Sequence, residues 1–228
     1  MTRLNRFLEK QLPTYHTDRN PPEKNVGSHL SPYLHFGQIS PITMALRARA
    51  AKAPPEPVAA FIEELVVRRE LAFNFVNYTP GFDRYESLPE WARRTLAEHR
   101  DDPRPHVYDQ SCLEAADTHD PYWNAAMDEM RITGYMHNYM RMYWGKKVLE
   151  WTATPEAAFD TLLTLNNRYF LDGRDPNSYA GVGWIFGTHD RAWPERAVYG
   201  KVRTMMASGL ERKFDIGKYV DRIRALKG

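Results

Sequence analysis

The stretch GYMHNYMRMYWGKKVLEW, residues 134–151, decides the fold expected for this chain. Aromatic residues and methionines occur around all sides of the predicted helix, which is typical of a buried helix. His137 and Arg141 lie within it and need polar partners if it is buried. A second stretch, LDGRDPNSYAGVGW at residues 171–184, is charged and rich in glycine, and it ends in a tryptophan. Together they predict an interior that holds a large, flat and partly polar group, such as an aromatic cofactor.

The composition is that of a soluble globular protein, with 43% hydrophobic and 26% charged residues in 228. The net charge of +2 does not identify a nucleic-acid-binding protein, although a local basic face would be sufficient for one. The single cysteine, Cys112, excludes an internal disulfide framework and favours a reducing compartment. The sequence shows neither a signal peptide nor an apolar run of membrane-spanning length, so we expect a cytoplasmic protein.

Helix starts are frequent and strand patterns are nearly absent, which predicts one all-α domain over residues 1–228. Capping residues precede a proline at Ser40, Asp120 and Thr154. The predicted helices cover about 41–52, 57–77, 90–99, 121–151, 155–165, 196–208 and 216–226. Glycine at position 134 is expected to break the fourth of them. Residues 172–193 are predicted to form a long ordered loop.

Three serines, Ser28, Ser31 and Ser40, surround short apolar pieces in NVGSHLSPYLHFGQISP, residues 25–41. Hydroxyls and free N–H groups at a helix start suit an anion such as a pyrophosphate. Ordinary helix capping explains the same residues. Similarly, Arg141 needs a carboxylate if it is buried, and Asp172 is the candidate. That ion pair is either purely structural or part of a ligand site.

Tryptophans form a third pattern. Trp144 and Trp151 are seven residues apart and share a helix face, and Trp123 lies beside them if the chain turns at position 134. A file of indoles from core to surface can carry single electrons, but aromatic core packing gives the same pattern.

Exposed tryptophans can stack on bases, and GVGWIFGTHDRAW at residues 181–193 contains Trp184 and Trp193. Arg191 between them could contact phosphate. The alternative is a loop anchored by two buried tryptophans. Scattered basic residues could line a nucleic-acid backbone or act only as solubilisers; they are Arg19, Lys201, Arg203, Arg212 and Lys213.

Four runs resemble the flavin domain of class II cyclobutane pyrimidine dimer photolyases, in order and over essentially the whole chain. They are SHLSPYLHFGQIS (28–40), EELVVRREL (63–71), YMRMYWGKKVLEW (139–151) and LDGRDPN (171–177). The segments YMRMYW and LDGRDPN are specific to class II, whereas the serine-rich run is shared with the wider photolyase–cryptochrome superfamily.

The resemblance implies an all-helical domain that holds a U-shaped FAD. In that family the fully reduced flavin, excited by blue or near-UV light, passes an electron to a pyrimidine dimer flipped out of damaged DNA. The dimer splits and the electron returns.

The resemblance also assigns roles to individual residues. The FAD phosphates are held by Tyr15, Ser28, Leu30 and Ser31. The flavin ring is faced by Arg141, Asp172 and, at N5, Asn166. The lesion is contacted by Glu64, a hydrogen-bond donor to a pyrimidine carbonyl, and by Met142 and Trp184. Flavin photoreduction is assigned to Trp144, nearest the ring, and to Trp123 and Trp151. The DNA is bound by Arg19, Arg191, Trp193 and Arg203.

Full-length members of this family carry an α/β antenna domain ahead of the helical one, and here Met1 stands just before the helical part. We therefore expect no antenna chromophore and light harvesting by FAD alone. The uncovered face would bind a separate antenna domain or self-associate. Smaller departures are His29, Phe73 and Asn167, where the family pattern has Asn, Asp and Asp, and they put the tuning of the site in doubt.

Three functions remain open from the sequence. The leading one is a light-driven lyase acting on UV-damaged DNA. The second is a cryptochrome-like flavin photoreceptor without repair activity. The third is a fragment that folds but lacks repair or flavin binding.

Overall fold

The computed structural model describes residues 2–228, and most of them are helical. The α-helices are α1 (Thr2–Lys10), α2 (Tyr15–Asp18), α3 (Ser31–His35), α4 (Pro41–Arg49), α5 (Pro55–Ile62), α6 (Arg69–Tyr78), α7 (Glu90–Glu98), α8 (Gln110–Ala115), α9 (Pro121–Thr133), α10 (Asn138–Trp151), α11 (Pro155–Tyr169), α12 (Pro176–Ile185), α13 (Ala207–Lys213) and α14 (Ile216–Arg224). Within 2–228 the only β-type pairing is a single bridge between Arg196 and Gly200. The expected all-α fold is confirmed.

The predicted helix starts are present where a side chain caps the first turn. Ser40 accepts a hydrogen bond from the N–H of residue 42, and Thr154 accepts one from the N–H of residue 157. Asp120 accepts two, from residues 122 and 123. The break predicted in the fourth helix is also confirmed: α9 ends at Gly134, which has φ of 68°, and His137 caps α10.

The predicted loop over 172–193 was wrong in its central part, because α12 occupies Pro176–Ile185. Asp175 caps this helix and Pro176 occupies its first turn. That is the same start signal as at Asp120. Glycines at 181 and 183 weaken helix propensity, but packing against α6, α10 and α11 offsets the loss.

The predicted helix over 196–208 was also wrong. Residues 193–201 form a tight hairpin, closed by paired hydrogen bonds between Arg196 and Gly200. Two residues near its tip, Val198 and Gly200, have positive φ angles and cannot continue a helix. Only α13 (Ala207–Lys213) is helical in this part of the chain.

The predicted helix over 57–77 is continuous but changes its period. A π-helix, Glu63–Arg68, joins α5 to α6. Such segments are rare and frequently mark functional sites. This one carries Glu64, the acid assigned to the lesion pocket.

The apolar core has two parts. The smaller lies among α1, α4 and α5, and the larger fills the space among α9, α10, α11, α12 and α14. Trp123, Trp144 and Tyr219 are fully buried in the larger core. No helix within 2–228 combines the length and the apolar character that crossing a bilayer requires.

Close packing of α10 on α12 depends on Gly145, since a Cβ there would lie 2.0 Å from Cδ1 and 2.7 Å from Cγ1 of Ile185. We expect Gly145→Ala to lower the free energy of unfolding by about 1–3 kcal/mol, because the buried Ile185 side chain must shift to make room. Urea denaturation measures the effect. The matched control is Gly181→Ala on α12, where a Cβ would meet no atom within 4 Å. It should be neutral or stabilise by about 0.5–1 kcal/mol. Equal stability of the two variants would contradict the packing account.

Candidate functional site

Arg141 and Asp172 lie within ion-pair distance, with 3.4 Å between Nη2 and Oδ1. Both side chains are largely buried, with exposed fractions of 23% and 14%. The Arg141 guanidinium also lies over the Phe170 ring, 3.8 Å from its centre. This cation–π contact adds to the pairing. The expected pair is therefore observed, whereas its place beside a flavin stays a prediction.

The loop that carries Asp172 packs on the end of α11. At Gly173 a Cβ would lie 2.9 Å from the carbonyl oxygens of Asn166 and Phe170, so only glycine fits without a shift. Asn166 is buried, and its amide donates to Asn167 Oδ1 over 3.0 Å. Three residues assigned to the flavin ring, Asn166, Asp172 and Arg141, are thus grouped around Phe170.

The three tryptophans form one connected group. Trp123 Nε1 donates to the carbonyl oxygen of Trp144 over 3.0 Å, and the rings of Trp123 and Trp151 are 5.8 Å apart. Trp144 lies at the Arg141 end, because its ring is 6.4 Å from that of Phe170. The order is therefore Trp144, Trp123, Trp151.

The group of tryptophans does not itself reach the surface, because Trp151 is only 2% exposed. Tyr108 and His119 cover it, with ring centres 5.6 Å and 5.0 Å away. Tyr108 Oη and His119 Nδ1 are hydrogen-bonded at 2.7 Å. No local pattern marks these two residues, since they lie 43 and 32 positions before Trp151 in the sequence.

Two buried N–H groups in α10 have no partner: Arg141 Nε and Trp144 Nε1. An unsatisfied buried donor costs about 1–3 kcal/mol, so native proteins rarely leave one. Here both occur within one turn of α10, beside the Arg141–Asp172 pair. The donors and the aromatic surroundings fit a flat group that has hydrogen-bond acceptors, and FAD is such a group.

A second cluster joins Tyr15, Arg19 and Glu64. Arg19 Nη1 is 2.5 Å from Glu64 Oε1, and the guanidinium lies 5.6 Å from the centre of the Tyr15 ring. Burial raises the pKa of Tyr15. Within this pair Arg19 is the donor and Glu64 is the acceptor. The expected hydrogen bond from Glu64 to the lesion stays a prediction.

The serine-rich segment contacts residues that lie just before α10 and α12. His29 lies against Tyr135, with 4.4 Å between the ring centres, and His35 Nδ1 is 3.3 Å from Asp175 Oδ2. Ser28 Oγ accepts from the N–H of Leu30 over 3.4 Å. Ser31 begins α3 without capping it, because the cap position belongs to Leu30. Ordinary capping thus explains Ser40 but does not explain Ser31.

The residues assigned to lesion and DNA lie on a more open side. Trp184 is 40% exposed at the end of α12, and Met142 is half-buried next to Arg141. Two guanidinium groups lie against the ring of Trp193, Arg191 at 5.1 Å and Arg203 at 4.9 Å from its centre. The alternative of a loop anchored by two buried tryptophans is excluded. Arg19 pairs with Glu64, the acid assigned to the lesion.

Sequence reasoning missed Lys146, a buried lysine in α10 whose Nζ donates to the carbonyl oxygen of Ile185. Burial lowers the pKa of this lysine to about 7. The contact fastens the end of α12 beside Trp184. Its only sequence signal was a pair of lysines inside an otherwise aromatic helix.

The low pKa of Lys146 predicts a pH effect on stability. Between a pKa of about 7 in the folded state and the ordinary 10.5, the unfolded chain binds the extra proton, so this lysine makes stability rise with pH. In Lys146→Met that contribution is lost, and the difference in free energy of unfolding between the two proteins should change steadily across this window. Urea denaturation at several pH values measures it. A constant difference would show that the lysine is charged in the folded protein.

The sequence of this chain is similar to the sequences of several photo-lyases. No family model matches the chain. A deoxyribodipyrimidine photo-lyase of Methanothermobacter thermautotrophicus is 59% identical over 96% of this chain and 48% of its own length. Those of Oryza sativa subsp. japonica and Potorous tridactylus are 51% and 45% identical, over 97% and 98% of this chain and 44% and 42% of their own lengths. The chain spans about half the length of these curated relatives.

Solved structures share the fold. A class III photolyase from Agrobacterium tumefaciens superposes with a TM-score of 0.72 at 21% identity, over 97% of this chain and 43% of that one. A cryptochrome of Synechocystis sp. PCC6803 gives 0.68 at 18%, over 96% and 43%. An archaeal photolyase from Sulfolobus tokodaii, solved with two FAD molecules, gives 0.63 at 19%, over 96% and 45%. Nearly the whole of this chain is therefore homologous to about half of a deoxyribodipyrimidine photo-lyase.

Proposed function

We propose that residues 1–228 form the FAD-binding catalytic domain of a class II photolyase, which splits cyclobutane pyrimidine dimers in UV-damaged DNA by light. The observation that carries the proposal is the grouping of Arg141, Asp172 and Asn166 at the end of the ordered tryptophans. The sequence supports it, because 96% of this chain aligns with a photo-lyase at 59% identity. We infer FAD as the cofactor because the Sulfolobus tokodaii relative by fold was solved with it.

In this proposal the protein holds and shields the cofactor. Arg141, Asp172 and Asn166 face the flavin ring, and the phosphates lie against Tyr15, Ser28, Leu30 and Ser31. When bound and fully reduced, FAD supplies the excited electron that splits the dimer. The buried side chains around Phe170 exclude water from the ring. Trp144, Trp123 and Trp151 provide the path by which the protein delivers an electron to the cofactor.

The DNA side uses the open group of aromatic and basic residues. A dimer has to leave the base stack to reach the cofactor. Trp184 offers an exposed indole for stacking against it. Met142, next to Arg141 in α10, is proposed to line the lesion pocket. The two guanidinium groups beside Trp193 provide positive charge for the phosphates of the opened duplex.

The Arg19–Glu64 pair supplies the most direct test of the lesion pocket. We expect Glu64→Gln to slow dimer splitting by more than tenfold, because Arg19 loses the charge partner that holds its donors in place; one misdirected hydrogen bond to a charged group costs about 1.5–3 kcal/mol. Flavin content should not change. The measurement is dimer loss from an oligonucleotide under single-turnover illumination of fully reduced protein. The control is Glu98→Gln on the exposed face of α7. Repair by Glu64→Gln at the rate of the control would remove the pair from the mechanism.

A cryptochrome-like photoreceptor is the alternative, and the observation that favours it is the shared fold with the Synechocystis cryptochrome. Under this alternative, the protein would bind FAD and respond to light, but dimers would remain intact at every flavin redox state. The repair assay separates the two functions directly.

An exposed apolar face also remains to be assigned. Ile42 and Leu46 project from α4 next to a groove lined by Pro55, Val58 and Ile62. We propose this face as the surface for a separate antenna domain or a second copy of the chain. The cytoplasmic location and the absence of an antenna chromophore stay predictions.

A further inference from the structure

The hairpin of residues 193–201, here called the Trp193 hairpin, presents Trp193 next to its two arginines. Its base is closed by the N–H of Trp193, which donates to the carbonyl oxygen of Lys201 over 2.9 Å. The bridge between Arg196 and Gly200 forms its tip. The orientation of Trp193 therefore depends on what holds this hairpin to the rest of the protein.

The hairpin is strained and needs external support. Val198 has φ of 68°, a strained conformation that β-branched residues rarely adopt. Gly200 lies so close to α7 that a Cβ would be 2.2 Å from Thr95 Oγ1. Support comes from two backbone donors: Val198 N–H to Asp102 Oδ2 at 2.8 Å, and Lys201 N–H to Thr95 Oγ1 at 3.0 Å.

His99, at the end of α7, completes this attachment by bridging two carboxylates. Its Nδ1 is 2.6 Å from Asp102 Oδ2, and its Nε2 is 2.8 Å from Glu195 Oε1. A neutral imidazole has one N–H and one lone pair, so it cannot donate to two carboxylates at once. Both hydrogen bonds exist together only when His99 is protonated. Two other charged groups face this cluster, Arg104 near Asp102 and Lys201 Nζ at 4.0 Å from Glu195.

When His99 loses its proton, it can keep only one of its two hydrogen bonds to carboxylates. Asp102 remains tied to the hairpin through Val198 N–H. Glu195 has an exposed fraction of 52% and can turn into solvent. Loss of the proton therefore breaks the bond to Glu195, two residues after Trp193.

We propose that protonated His99 is a positioning residue, which clasps Glu195 and holds the Trp193 hairpin ready for damaged DNA. Deprotonation opens the clasp and weakens binding. The proposal rests on the proposed function, because it takes Trp193 as a DNA contact. Hydrogen bonds from His99 to Asp102 and then to Glu195 raise the pKa of His99. The clasp is therefore complete below the ordinary histidine pKa of about 6.5, and it opens as the pH rises through the higher folded value.

The test is the affinity of the flavin-loaded protein, in the dark and at constant salt, for a duplex that contains one cyclobutane dimer. We expect the Kd of the wild type to rise several-fold between about pH 6 and about pH 9. In His99→Asn the Kd should be high at both pH values, as it is in the wild type at high pH. In Glu195→Gln the amide can donate to or accept from a neutral imidazole, so the profile should be flat. Glu98→Gln, also on α7, should keep the wild-type profile.

Two measurements on the protein without DNA test the clasp independently of the proposed function. NMR should show His99 titrating above the ordinary histidine value, with a lower hydrogen-exchange protection factor for the amide of Trp193, which closes the base of the hairpin, once His99 is deprotonated. If this protection factor and the Kd do not follow the titration, or if Glu195→Gln retains the wild-type pH profile, the clasp is wrong. If the wild type binds damaged and undamaged duplex equally well at every pH, the proposed function is overturned. The proposed effect of the clasp on DNA binding is then overturned as well.

Discussion

Asp172→Asn is expected to remove most of the bound FAD and to lower the free energy of unfolding of the apoprotein by about 1–3 kcal/mol. Removal of one partner from a fully buried ion pair costs about 3–5 kcal/mol, and the partial exposure of Arg141 reduces this figure. Arg141 already has one buried N–H without a partner, so the substitution leaves its charge facing only the Phe170 ring. Urea denaturation gives the stability, and the ratio of flavin to protein absorbance gives the occupancy.

The matched control for this substitution is Asp221→Asn. Asp221 pairs with Arg224 at 3.6 Å on the exposed face of α14, where both side chains are in solvent. Such a pair contributes little, so stability should change by less than about 1 kcal/mol and flavin content should stay the same. Asp172→Asn with the flavin content and stability of Asp221→Asn would show that the Arg141–Asp172 pair is neither structural nor part of the cofactor site.

Trp144→Phe is expected to abolish photoreduction of oxidised flavin while leaving repair by chemically reduced protein intact. Trp144 is the tryptophan next to the Arg141 and Phe170 group, and Trp123 joins it to Trp151. A phenyl ring is much harder to oxidise than an indole, so the path would be interrupted at its first step. The apoprotein should keep its fold, because the Nε1 of Trp144 has no hydrogen-bond partner within the protein, and the flavin content of the variant, measured first, shows that the cofactor stays bound. Flavin absorbance under illumination, with an external reductant present, follows the reaction.

Trp193→Phe serves as the control for the electron path. Trp193 lies between two arginines, on the proposed DNA side, and outside the ordered tryptophans, so photoreduction should proceed at the wild-type rate. The affinity of the Trp193→Phe variant for DNA should fall instead. Photoreduction at equal rates in the two variants would assign Trp144 to core packing, which is the simpler interpretation of a buried indole.

The helices that the sequence predicted well have their signals within one turn. Ser40, Asp120 and Thr154 cap their helices as expected, and Gly134 ends α9 because it adopts a positive φ. Asp175 followed by Pro176 is the same start signal, but the glycines at 181 and 183 led to the prediction of a loop. The π-helix was not predictable, since its longer hydrogen-bond period depends on packing and has no residue signature.

The hairpin of residues 193–201 shows why the rest could not be predicted. Its partners Thr95 and Asp102 lie about a hundred positions earlier, and they stabilise a backbone that the local sequence alone would not adopt. The candidate site follows the same division. Arg141 was recognisable as a charge in an aromatic helix, whereas the pairing of Arg19 with Glu64 joins residues 45 positions apart. The resemblance to photolyases predicted the roles, and the fold shows the contacts.

The most direct test of the central claim is illumination of the purified, FAD-loaded and fully reduced protein with an oligonucleotide that contains one cyclobutane pyrimidine dimer. The account predicts that intact pyrimidines are restored in the light and not in the dark, with no change in the length of the oligonucleotide. A protein that binds flavin and the damaged duplex, yet leaves the dimer unchanged after illumination in the reduced state, would contradict it.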